Sequence, residues 1–145
     1  MSPRMHVTFG VVASIAVVGA LSWGFVLVGS PAVRRLERFD QRRLQDLQAI
    51  AREIQWMVLD PNKKGALKQP LPKTLNEAAA GARNERLNLQ DPETGEPYGY
   101  TVKNETTYEI CATFTRPHNS DRAVLWNHAA GRHCFTVNVL ERTPF

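Results

Sequence analysis

The sequence predicts an α+β fold, in which an N-terminal membrane helix leads into an amphipathic helix packed on a small antiparallel β-sheet. Three observations predict it. Val7 to Gly29 form an unbroken uncharged, largely apolar run, apolar residues from Val33 to Leu59 recur at helical spacing, and apolar residues after Pro97 alternate with polar ones. The 145 residues divide accordingly into a tail and transmembrane helix (1–30), an amphipathic stalk and core helix (31–60), and a short helix plus sheet (61–145) completing one soluble domain. With 43% hydrophobic residues, many of them in the first run, the remainder supports one modest core.

As a helix, the first run would extend about 34 Å, enough for a hydrocarbon layer of about 30 Å. A cleaved secretory signal is the rival reading. The run exceeds the usual apolar stretch of such signals, its leading segment carries only Arg4, and Gly29-Ser30-Pro31 makes a poor cleavage context. Ala13, Ala16, Ala20 and Gly24 form a stripe of small side chains on which another membrane helix can dock closely, although such residues are also ordinary in any membrane helix.

Ser30 suits an N-cap and Pro31 a first helical position, so a second helix is expected from there to Leu59. Val33, Leu36, Leu47, Ile50, Ile54 and Met57 share its apolar face. Asp40 and Arg43 interrupt that face at pairing distance. Arg34, Arg35, Arg38, Arg42 and Arg43 follow the membrane exit and are candidates for contact with the lipid bilayer, at about 1 kcal/mol per residue near anionic headgroups. A solvated helix face is the plainer alternative.

Asp60-Pro61 ends the helix, and Asn62 to Pro72 reads as a linker. Thr74 and Glu77 have capping-box spacing at the start of a short helix that fades near Gly81. Asp91 to Pro97 is a dense turn signal. Tyr98, Tyr100 and Val102 share one strand face, Tyr108, Ile110, Ala112 and Phe114 the next, and Phe135, Val137 and Val139 the last. The polar loop from Arg116 to Gly131 contains Trp126 and His128, which pin it to the sheet and make it a candidate interaction loop.

Cys111 and Cys134 lie off the main apolar face, so neighbouring strands would let the two sulfurs bond. That bond implies an oxidising compartment and a periplasmic domain. The arginine bias after the membrane run favours the opposite, cytoplasmic orientation, which stands as the alternative to the expected periplasmic one. His128, His133, Cys134 and Cys111 match no zinc spacing, and His133 and Cys134 point to opposite faces of a strand. Asp91, Glu93 and Glu96 offer hard ligands for calcium at less than the density of a dedicated loop. Phosphate-binding glycine loops, nucleophile elbows, metalloprotease and haem motifs are absent, as is any aromatic-interleaved basic stripe for nucleic acid. The expectation is a non-catalytic chain with no cofactor, no metal and no small-molecule substrate.

Leu71-Pro72-Lys73-Thr74-Leu75, followed by Asp91-Pro92-Glu93-Thr94-Gly95-Glu96-Pro97-Tyr98-Gly99-Tyr100, is similar to a pattern of pseudopilins. The chain resembles, more closely, uncharacterised bacterial single-pass membrane proteins with a pilin-like domain. Gly29-Ser30-Pro31, Arg38-Phe39-Asp40, Asp46-Leu47-Gln48, Glu109-Ile110-Cys111-Ala112-Thr113-Phe114 and Trp126 through His128 and Gly131 to Cys134-Phe135 carry that resemblance. It implies an inner-membrane protein with a pilin-like fold. The five residues after Gly10 include no glutamate, a departure from prepilins that argues against peptidase processing. The expected role is an accessory or structural subunit of a membrane protein complex, respiratory and photosynthetic ones being examples. A pseudopilin-like component of a secretion or pilus system is the alternative.

Overall fold

A computed structural model describes residues 3–28, 31–63, 65–83, 87–121 and 124–141. The chain divides into two compact units, Met1–Leu36 and Glu37–Phe145. Ser30, read as an N-cap, lies outside the described residues.

Helix α1 spans Pro3–Val28. From Val7 to Gly24 it is long and apolar enough to cross a membrane, and none of that window is buried inside the protein. Its serine hydroxyls are satisfied within the helix: Ser14 donates to the Gly10 carbonyl at 2.9 Å and Ser22 to the Val18 carbonyl at 2.8 Å. Such back-bonding lets serine sit in an apolar solvent without an unpaired donor.

Helix α2 spans Pro31–Val58 and is amphipathic as expected, but its buried face begins only at Asp40. Val33 is exposed and Leu36 and Met57 half-buried, whereas Leu47, Ile50, Ala51, Ile54 and Val58 are buried in the core. Each large aliphatic side chain so buried contributes about 1.5–3 kcal/mol. The expected linker after α2 is a folded return. Asp60 N–H donates to the Ala66 carbonyl at 3.0 Å and Lys68 N–H to the Val58 carbonyl at 2.9 Å, which brings Leu59 opposite Leu67. Helix α3, Leu75–Gly81, is capped by Thr74, whose hydroxyl accepts from Glu77 N–H at 3.2 Å. The Glu77 carboxylate reaches back one residue beyond the usual box and accepts from Lys73 N–H at 2.7 Å.

Strands β1 (Gly99–Val102), β2 (Thr107–Phe114) and β3 (Gly131–Asn138) form an antiparallel meander in that order. Tyr100 stands opposite Ile110, and Ile110 opposite Phe135. Tyr108, Ile110, Ala112, Phe114, Phe135, Val137 and Val139 join the buried face of α2 in one hydrophobic cluster. Gln55 of α2 donates from Nε2 to the carbonyls of Val139 and Glu141 at 3.0 Å each, tying the helix to the segment after β3.

Candidate functional site

Among the described residues, the most densely bonded side chain of the globular unit is the guanidinium of Arg43. Helix α2 carries Asp40 and Arg43 one turn apart at the start of its buried face. The Asp91 turn is built by its own side chain: Oδ1 accepts from the N–H groups of Glu93 at 2.8 Å and Thr94 at 3.1 Å. Gly95, at φ 74°, supplies the left-handed residue that closes this turn, and its N–H reaches the Asp91 carbonyl at 2.9 Å. The turn therefore presents a fixed carboxylate, and Arg43 binds it with a two-pronged grip. Nε lies 2.6 Å from Oδ2 and Nη2 3.0 Å from Oδ1. Nη2 also meets Glu93 at 2.6 Å, and Nη1 meets Asp40 at 2.7 Å. Asp40 in turn accepts from the N–H groups of Thr115 and Arg116, each at 2.9 Å, where β2 ends.

One cation thus joins a helix, a turn and a strand end. Burial by itself would raise the Asp91 carboxyl, but hydrogen bonds from Arg43 and from the Glu93 and Thr94 N–H groups overcome it, and the net shift is below the ordinary value of 3.8. Burial likewise opposes charge on Arg43, and its carboxylate partners more than reverse the effect, raising it above its ordinary value.

Two expectations need correction here, on Arg43 and on the loop residues Trp126 and His128. Arg43, placed among the headgroup-facing arginines, is 3% exposed and points into the globular unit. Its phase on α2 differs from that of Arg34, Arg35, Arg38 and Arg42, which are exposed. Asp91 and Glu93, weighed as calcium ligands, already hold a cationic side chain, and among the described residues no cluster of acids, histidines or cysteines has metal-holding geometry. Trp126 and His128 do not form an outward interaction surface. Trp126 is fully buried in the short 3-10 turn Val124–Trp126, 5.0 Å from the Phe135 ring. His128 stacks on Phe114 at 3.6 Å. Burial, followed by the neighbouring His118, pushes His128 below its ordinary value, against an opposing bond to the Ala129 carbonyl. It is therefore a neutral packing residue at pH 7. The backbones of His118 and His128 exchange hydrogen bonds of 2.9 and 3.0 Å, which close the loop.

Cys111 and Cys134 stand directly opposite on β2 and β3 and form a disulfide. Gly99 faces Cys111 on β1 in the same row. A Cβ at Gly99 would lie 3.0 Å from the Cys111 Cβ and 3.4 Å from an Arg132 nitrogen. Gly99→Ala is accordingly expected to cost about 1–3 kcal/mol by overpacking, read from the denaturation midpoint of oxidised protein. An open cleft of about 420 Å³ adjoins this row and is lined in part by Arg43, Glu93, Tyr98 and Arg132.

No family model, curated protein or solved structure matches the chain. Its residues have to speak for themselves. Sequence reasoning paired Asp40 with Arg43, and the 2.7 Å contact between them agrees. It missed that Arg43 also seizes the distant Asp91 turn, and that Tyr98 donates to Asp46 at 2.9 Å. The available signal was an arginine in phase with the apolar stripe of α2, a position that requires a buried counter-charge. Ala13, Ala16, Ala20 and Gly24 all lie on the unburied membrane-length window of α1.

Proposed function

We propose that this chain is a non-catalytic, membrane-anchored accessory subunit of a larger membrane protein complex. The single observation carrying this reading is the Val7–Gly24 window of α1, uncharged and long and apolar enough to cross a membrane. A helix of that length and composition finds its solvent in lipid or against another membrane helix. Ala13, Ala16, Ala20 and Gly24 provide the docking face, and the globular unit provides a rigid soluble surface. The disulfide between Cys111 and Cys134 favours an oxidising compartment, in a bacterium the periplasm, for that unit.

Two measurements on the native membrane test this. The protein should resist alkaline carbonate extraction with its full-length mass intact; release of a species lacking α1 would instead identify a cleaved signal. In mild detergent it should migrate with a larger complex, and Ala20→Leu should free it without extracting it from the membrane. Migration alone by the unaltered protein defeats the subunit reading. The order of apolar helix, amphipathic helix and antiparallel meander favours a second reading, a pseudopilin-like component. That reading requires loss of the residues through Gly10, visible in the same intact mass.

A further inference from the structure

The outward face of α2 carries a pattern that the core does not explain. Within the globular unit, Arg38, Arg42, Gln45, Ala49, Arg52 and Trp56 follow one another at steps of four and three residues, so they form one stripe along the helix. All are exposed except Ala49, which is half-buried. The stripe extends about 27 Å at the rise of an α-helix. Two of the three intervening acids point elsewhere: Asp40 bonds to Arg43 and the end of β2, and Asp46 accepts from Tyr98 and Asn88, while Glu53 flanks the far end of the stripe.

The far end of the stripe is equally distinctive. Trp56 is 59% exposed, a large apolar side chain left open to solvent. The guanidinium of Arg83 lies over its ring at 5.0 Å, and Lys68 Nζ donates to the Trp56 backbone carbonyl at 3.1 Å. Glu53, beside them, accepts from the Arg83 N–H at 3.1 Å. An exposed indole ringed by cations is the side-chain chemistry of a membrane–water interface, where the ring enters the headgroup layer and the cations meet phosphate.

We infer that this stripe of α2 docks along an anionic lipid surface, with Arg38, Arg42 and Arg52 on phosphates and Trp56 in the headgroup layer. The inference rests on the membrane-anchor reading and deepens it by naming a lipid-facing surface of the globular unit. Charge complementarity selects the occupant. The stripe itself presents arginines and no carboxylate, and anionic headgroups are the continuous negative surface that an anchored protein always faces.

The test uses the full-length protein in nanodiscs, with a nitroxide attached at Gln45→Cys or, on the far strand β1, at Thr101→Cys. Relative accessibility to oxygen and to a water-soluble nickel complex reports depth. In discs containing 30% phosphatidylglycerol the label at position 45 should read headgroup depth and the label at 101 should read water. In purely zwitterionic discs, or in high salt, position 45 should return to water. Each of Arg38→Gln, Arg42→Gln and Arg52→Gln should lower the docked-to-free ratio by roughly fivefold. A label at 45 that reads water in anionic discs overturns the inference and turns the stripe toward an acidic protein partner. Failure of the protein to enter discs at all refutes the anchor itself, so the two failures are distinguishable.

Discussion

Arg43→Ala is expected to destabilise the globular unit by about 3–5 kcal/mol, the range for removing one partner of a buried ion pair. The loss comes from what is left behind. Asp40 and Asp91 are buried with Arg43, and Glu93 joins them from the protein edge, so deletion of the guanidinium strands three carboxylates around one emptied position. Denaturant unfolding of the detergent-solubilised protein measures it. Arg43→Lys should recover only part of the loss, since an ammonium keeps the charge but cannot grip Asp91 with two parallel bonds. Neutralising the acids as well, with Asp40→Asn, Asp91→Asn and Glu93→Gln in the Arg43→Met background, should restore stability beyond Arg43→Ala alone. If Arg43→Ala costs less than about 1 kcal/mol, the guanidinium is a solvated surface group in solution.

The same cluster makes stability depend on pH in a defined direction. Asp91 is held below its ordinary value of 3.8 in the folded protein. A depressed carboxyl contributes stability that is complete above the unfolded value and is lost as pH falls through the folded one. The unfolding midpoint should therefore drop below about pH 4, and that drop should be shallower in Arg43→Ala, where the Arg43 share of the depression is gone and only the Glu93 and Thr94 N–H bonds remain.

Removing the disulfide is the second large effect. The bond between Cys111 and Cys134 closes a loop with a sequence separation of 23. On the chain-entropy account its loss destabilises by about 3 kcal/mol. Cys111→Ala with Cys134→Ala, and chemical reduction of the unaltered protein, should give similar losses by calorimetry. Membrane retention should be unchanged, because α1 contains neither cysteine. Thiol trapping in intact cells supplies the companion measurement: bonded cysteines place the globular unit on the oxidising side, free ones place it in the cytoplasm.

The elements of this fold were readable because each carries a local rule. Alternation marked β2 and β3, whose inner residues Tyr108, Ile110, Phe114, Phe135 and Val137 are buried as their spacing implied. The outer-face position of Cys111 and Cys134 was readable for the same reason. Periodicity failed at Val33 and Leu36, because burial requires something to pack against and the core of the globular unit begins only near Asp40. The segment from Asn62 to Pro72 looked like a linker, since its lysines and prolines hide a return whose hydrogen bonds are made by backbone groups common to every residue.

By itself, the chain's alphabet determined where helix and strand run, which faces are apolar, and that a membrane-length apolar helix leads the protein. These follow from preferences acting within a few residues. Tertiary structure decided the partners of Arg43, the inward direction of Trp126 and His128, and the clean arginine–tryptophan stripe left outside. Those depend on groups dozens of residues apart meeting in space: Arg43 and Asp91 are separated by 48 positions, and local spacing carries no record of such a meeting.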